Sequence, residues 1–511
     1  MFAKNHRRRF LETTLASGAL ATLGDLGFLG RLPLVSAAEA QPDSRTVRLS
    51  SDIEPLVKLV EETPREELLE TVAAKIHAGT SYQEVLAALL LAGVRNVQPR
   101  PSVGFKFHAV LVVNSAHLAS ISSPDEHRWL PIFWALDYFK HAQAEDRQQG
   151  DWTMGPVDEA AVPGTPQAAK DLFVEAMNSW DEAKADAAAA ALARQVPSAE
   201  CFELFCRFGC RDFRSIGHKA IFVANGWRTL DTIGWQHAEP VLRSLAYALL
   251  AHEDGNPAKN DLDADRPGRQ NLERLKKVRA GWQQGQGDEQ ATRDLLATLH
   301  GSSVDQACDQ VVEMLNRNVA PQAIWDAMFL GSGELLVRQP GIVGLHAVTS
   351  TNALHYAFAA SKNDETKRLL LLQNAAFLPL FRGAMEGRGR VADIDVRTLE
   401  PAAPAAADSG ALGEIFADIS SDRMLAARKT LAYARQQSDV KPFIDAARLL
   451  VFLKGNDAHD YKFSSAVLED YLHVSPAWRD RYLAAGVFNL PGSGEPDNKL
   501  VERTRAALAK G

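Results

Sequence analysis

The chain has 511 residues and carries 56 Lys and Arg against 64 Asp and Glu, a net charge of −8, with an isoelectric point near 6.0. That balance argues against nucleic acid as a partner, because binding a phosphate backbone calls for a basic face. The 46% hydrophobic content belongs to a globular protein with a real core. The four cysteines, Cys201, Cys206, Cys210 and Cys308, are too few to staple a chain of this length.

Residues 1–40 have the zones of an export signal. Arg7, Arg8 and Arg9 are followed at once by Phe10 and Leu11, which resembles the twin-arginine pattern. A mildly apolar stretch from Leu15 to Leu34 follows. Glycines dilute it, and Asp25 and Arg31 interrupt it. A stable membrane span needs about 20 strongly apolar residues without charge, so this stretch is a poor anchor. It ends at Ala38-Glu39-Ala40, a small-x-small cleavage signature. The mature chain is expected to start at Gln41, to use the twin-arginine export machinery as a partner, and to work in the periplasm or elsewhere outside the cytoplasm. That route moves folded proteins and suits a cofactor inserted before export.

Thr63-Pro64 followed by Glu66 and Glu67 predicts a helix start with acids in its first turn. Leu68, Leu69, Val72 and Ile76 recur at helical spacing, as do Val311, Val312 and Leu315 further on. Alanine-rich helices are predicted over Asp181–Gln195 and Asp422–Gln437. Cys206 and Cys210, four apart, read as small buried residues on one helix face, with a metal or redox role as the alternative, though without Cys-x-x-Cys spacing. Loops are expected at Gly150–Thr165, Glu253–Gly287 and Pro401–Gly413. Strand-like alternation is nearly absent. The expected fold is all-α.

An internal repeat organises the chain. At an offset of 239, Val72, Gln83, Ala88, Leu91 and Pro101 match Val311, Gln322, Ala327, Leu330 and Pro340. One residue out of that register, His108-Ala109-Val110 matches His346-Ala347-Val348, Asn114 matches Asn352, and His117 matches His355. Asp125-Glu126 falls on Asp364-Glu365. At an offset of 241, Ala193-Arg194-Gln195 matches Ala434-Arg435-Gln436, Phe202 matches Phe443, His218 matches His459, and Phe222 matches Phe463. This predicts an ancient duplication, with half 1 over residues 41–288 and half 2 over 289–511, packed about a pseudo-two-fold axis. A period this long is a domain-sized half and not a solenoid repeat.

The repeat singles out six histidines: His108, His117, His218, His346, His355 and His459. Imidazole is the commonest side-chain metal ligand, and three histidines on a helical frame suit iron, copper or zinc with an open coordination position. His108 and His117 are nine apart and point about 180° apart on a straight helix. They reach one ion only if the helix starts after His108 or bends; Gly104 and Gly344 make such a loop-to-helix transition credible. Asn114 and Asn352, three residues before His117 and His355, can orient a ring or bind substrate. Asp125 and Asp364 are second candidates for that role. Asp137 and His141, spaced i,i+4, fit a carboxylate–histidine pair but equally a solvated face, and Trp235 to Glu239 could line a pocket or pack in the core. There is no nucleophile elbow, phosphate loop, His-Glu-x-x-His or Cys-x-x-Cys-His.

Gly217-His218-Lys219-Ala220-Ile221-Phe222 followed by Arg243–Leu250, and Asn114-Ser115-Ala116-His117 earlier, resemble helices of the questin oxidase-like family. The resemblance implies a helical fold and oxidative chemistry, since that family includes Baeyer–Villiger oxygenases of polycyclic aromatics. An export signal is a departure from it. The functional expectation is an exported helical oxidoreductase with a histidine-lined, metal-binding site acting on a small organic substrate. The alternative is a non-catalytic exported protein that binds haem, a metal ion or a partner.

Overall fold

The computed structural model describes residues 32–41, 53–99, 106–250, 255–257, 259–404 and 409–509. Among them are 23 α-helices and no strand, so the all-α expectation holds. Arg7 to Leu11, with the rest of residues 1–31, as well as Pro101 and Gly104, lie outside the described residues.

Local signals start the helices where they stand. The first group is α1 (Glu54–Glu62), α2 (Arg65–His77), α3 (Tyr82–Asn96), α4 (His108–Ile121), α5 (Trp129–Gln148), α6 (Pro166–Ser179), α7 (Glu182–Gln195), α8 (Ser198–Gly209), α9 (His218–Ile233) and α10 (Ala238–Leu250). A short helix, α11 (Arg266–Arg274), follows. The second group is α12 (Glu289–Gly301), α13 (Val304–Asn316), α14 (Pro321–Arg338), α15 (Ile342–Ala360), α16 (Asp364–Glu386), α17 (Ser409–Ser421), α18 (Arg423–Gln436), α19 (Lys441–Lys454), α20 (Ala458–Asp470) and α21 (Arg479–Gly486), with α22 (Lys499–Ala509) at the end. Ser81 and Glu84 form a capping box at α3, and Ser303 and Gln306 form one at α13. Asp181 and Asp422 cap the alanine-rich α7 and α18.

Packing partners recur between the two groups. α1 packs on α3 as α12 does on α14, α4 on α5 as α15 on α16, and α7 on α10 as α18 on α21. The centre is built from α4, α9, α15 and α20. α4 packs on α9 and α20, and α15 packs on the same two helices. Both α4 and α15 are buried nearly all round, as apolar helices without a polar face must be. One hydrophobic core runs through both groups.

Three expectations change in detail. The stretch Glu253–Gly287 is not all loop: α11 lies within it, with Asn271 donating to Gln373 Oε1 at 2.8 Å and Arg274 paired with Asp305 and Asp309. Buried polar partners order a segment that composition reads as solvated. The third loop ends early, at Ser409, where α17 begins. Ala38-Glu39-Ala40 lies in a single helical turn, Ala37–Ala40, closed by a Ser36–Glu39 capping box, with Ala40 buried. Trp129 Nε1 donates to Pro33 O at 3.1 Å beside it. No helix among the described residues is long and apolar enough to cross a membrane.

Candidate metal centre

Four of the six repeated histidines stand at the starts of the four central helices. His108 and His218 are the first residues of α4 and α9, His346 is in the second turn of α15, and His459 is in the first turn of α20. The chain is bent sharply to place His218. Ser215, Ile216 and Gly217 have φ of 54°, 45° and 82°. A left-handed β-branched residue such as Ile216 costs on the order of 1–3 kcal/mol. Gly217 also lies hard against α15, because a Cβ there would fall 2.5 Å from Ser350 Oγ. The bend turns the Ser215 carbonyl onto His218.

His218 Nδ1 lies 2.5 Å from Ser215 O, and His346 Nδ1 lies 2.6 Å from Ile342 O. A carbonyl at that distance is satisfied by an N–H, which places the proton on Nδ1 and leaves each Nε2 as a lone pair. Those lone pairs face one another. His346 Nε2 is 2.9 Å from His218 Nε2, which is 3.3 Å from His108 Nε2. Within 4.8 Å of one another, the three nitrogens form the one group of three or more ligand residues with metal-holding spacing among the described residues. Facing lone pairs repel unless a proton or a metal ion lies between them. A proton is disfavoured: burial holds all three imidazoles well below their ordinary pKa, and Lys462 pushes in the same direction. An ion with metal–nitrogen bonds of about 2.0–2.1 Å sets neighbouring ligand nitrogens about 2.9 Å apart in octahedral and about 3.3 Å apart in tetrahedral geometry. The two spacings at His218 lie in that range, and the third, between His108 and His346, is within 4.8 Å.

Lys462 borders the centre and also lines a small cavity. Lys462 Nζ lies 3.5 Å from His346 Nε2, and burial lowers its amine to about 7. The cavity is lined by Asn114, Asn225, Arg228, Asn352, Lys462 and Ser465 and has room for about one water molecule. An Arg228–Glu469 ion pair of 3.0 Å adjoins it. No family model, no curated protein and no solved structure matches this chain.

The structure separates the predicted residues. His108, His218 and His346 converge. His459 packs its ring on His108, 4.5 Å between centroids, and its Nδ1 lies 3.2 Å from Asp457 Oδ1. His117 and His355 stand apart, which corrects their assignment to the same site. α4 begins at His108 itself, so the helix carries His117 round to its other side. There His117 Nδ1 meets Tyr82 OH at 3.1 Å and Nε2 meets Thr232 Oγ1 at 3.3 Å. His355 packs among Trp325, Phe329 and His473. Gly344 does not mark a helix start: α15 begins at Ile342, and Gly344 lets it approach α14, where a Cβ would lie 2.9 Å from Leu336 Cα.

Asn114 and Asn352 line the cavity. Asn352 Nδ2 donates to Glu469 Oε2 and Asp470 Oδ1 at 2.8 and 2.7 Å. Asp125 and Asp364 serve helix starts instead. Asp125 pairs with Arg128 at 2.8 Å, and Asp364 accepts from Trp282 Nε1 and Gln283 Nε2 at 2.8 Å. Asp137 pairs with Arg65 and Arg503, and His141 is exposed. Trp235 packs on Trp227. The four thiols are free and buried, and burial raises their pKa. A cavity of this size has no room for a haem. Lys462 is the buried neighbour of the centre that spacing alone missed. Its signal was a lysine three residues after His459, where the 241 register places Ile221 in the first half.

Proposed function

We propose that the protein is a metalloprotein, exported through the twin-arginine route, that holds iron, copper or zinc at Nε2 of His108, His218 and His346. We read it as an oxidoreductase acting on a small organic substrate. The observation that carries the metal assignment is the 2.9 Å separation of two Nε2 atoms whose Nδ1 partners are main-chain carbonyls. Anchoring the second nitrogen in this way fixes a ligating ring and makes it more basic. Three imidazoles suit those three metals better than magnesium or calcium. The oxidative assignment draws on the questin oxidase-like resemblance, which runs through His218 itself, and on an export route that accommodates cofactors. The recurring packing and the matched histidines support an ancient duplication whose axis passes near the centre.

The burial of all three histidines favours a second reading, a non-catalytic metal-binding protein. One experiment separates these. Protein exported by its native route is assayed for metal content and visible absorption, then for oxygen uptake with aromatic and aliphatic ketones and alcohols. About one metal ion per chain with substrate-dependent oxygen uptake is expected. Metal without turnover selects the second reading, and a metal-free protein overturns both.

A further inference from the structure

Residues 32–41 are where sequence and structure pull apart. The sequence marks Ala38-Glu39-Ala40 as a cut site. A protease needs exposed backbone that is not tied up in hydrogen bonds, and the structure presents neither. Ala37–Ala40 is a helical turn, and Ala40 is 0% exposed. The amide of the bond to be cut, Gln41 N, donates to Ala37 O at 3.1 Å, and Ala40 N donates to Ser36 O at 3.0 Å. Glu39 O accepts from Gln83 Nε2 of α3, and Glu39 Oε2 accepts from Ser36 N at 2.8 Å.

The contacts extend beyond the turn, which packs on α3 and α4. Leu32, Val35 and Ala40 belong to the hydrophobic core. Trp129 Nε1, at the start of α5, donates to Pro33 O at 3.1 Å. The same indole packs on Tyr82, 5.3 Å between centroids, and Tyr82 OH meets His117 Nδ1. Loss of residues 32–40 would uncover apolar surface on the protein body and take away the acceptors of the Trp129 indole N–H and the Gln83 amide. Burial costs of this kind hold a terminal segment in place.

We propose that residues 32–41 are a permanent strap of the folded protein, and that docking on α3, α4 and Trp129 protects the Ala40–Gln41 bond from hydrolysis. The protein then keeps these residues after export instead of starting at Gln41. The strap does not depend on the metal reading. It meets the export reading in the order of events: a chain that folds before transport has already buried the cut site when the protease meets it.

The test begins with the full chain exported by its native route, read by N-terminal sequencing and intact mass. A first residue at or before Leu32 is expected; any later one, Gln41 above all, overturns the strap. The purified full chain and a synthetic peptide of residues 30–50 are then incubated with a leader peptidase that cuts after Ala-x-Ala. The peptide should be cut after Ala40, and the folded chain about tenfold more slowly or less, since cleavage follows the population of the open form. Equal rates overturn the strap. So does a peptide that is not cut, because docking then protects nothing. Gln83→Ala combined with Trp129→Phe leaves the leader sequence unchanged and removes two of its anchors. With helical circular dichroism retained, it should be cut several-fold faster than the unchanged chain, and no increase overturns the strap. A chain found only inside the cell overturns the export reading, and the peptidase rates then decide the strap alone.

Discussion

His108 and His117 lie on the same buried helix, yet they come to opposite ends. His117 finds a hydroxyl at each ring nitrogen, from Tyr82 and Thr232, and is complete as a core residue. At the centre, the rings of His218 and His346 find main-chain carbonyls at Nδ1 only and turn their Nε2 atoms on each other and on His108. Both regions are buried, and both come from repeated positions. Burial and repetition therefore do not make a metal site. What distinguishes the centre is that three ring nitrogens converge on one another, within 4.8 Å, instead of each finding a hydroxyl.

The sharpest break in that comparison is a pair of substitutions. His346→Ala should lower metal affinity by more than about a hundredfold, since losing only a ligand's orienting partner costs 10–100-fold. His117→Ala should leave metal content unchanged. It should instead lower stability by about 1–3 kcal/mol, because Tyr82 and Thr232 lose a buried partner. Elemental analysis and urea denaturation of both variants check this, and equal metal loss in both would erase the distinction.

Acid should separate the two regions next. An unfolded imidazole titrates near 6.5, whereas burial holds His117 at about 4. Between those values the unfolded chain binds the extra proton. Stability from keeping His117 neutral is therefore whole above about 6.5 and declines as pH falls toward 4, by on the order of 3 kcal/mol. His117→Gln should flatten the slope of unfolding free energy over that window without changing metal binding at neutral pH.

A smaller effect tests how His218 is held. Gly217→Ala puts a Cβ at φ +82° and against Ser350. It should cost about 1–3 kcal/mol and weaken metal binding by displacing His218, as a thermal melt and a metal titration would show. The smallest effect belongs to Asp125. Its carboxylate is half exposed and pairs with Arg128, so Asp125→Asn should change stability by less than about 1 kcal/mol and metal content not at all. A metal loss there would reopen its role at the centre.

Much of this protein was legible in the chain alone, for local reasons. Capping residues such as Ser81, Asp181 and Asp422, the proline at position 64 and three-four apolar spacing act within a few residues, so helix positions and the all-α fold could be read directly. The reading also named His108, His218 and His346, though together with His117 and His355. Choosing among them required knowing that α4 starts at His108 and how α4, α9, α15 and α20 cross. The distance between two nitrogens 128 residues apart is set by helix packing, which no local pattern encodes. Lys462 went unnoticed for the same reason. In sequence it is one lysine among many, and only the tertiary structure shows that it is buried, with its Nζ 3.5 Å from His346 Nε2.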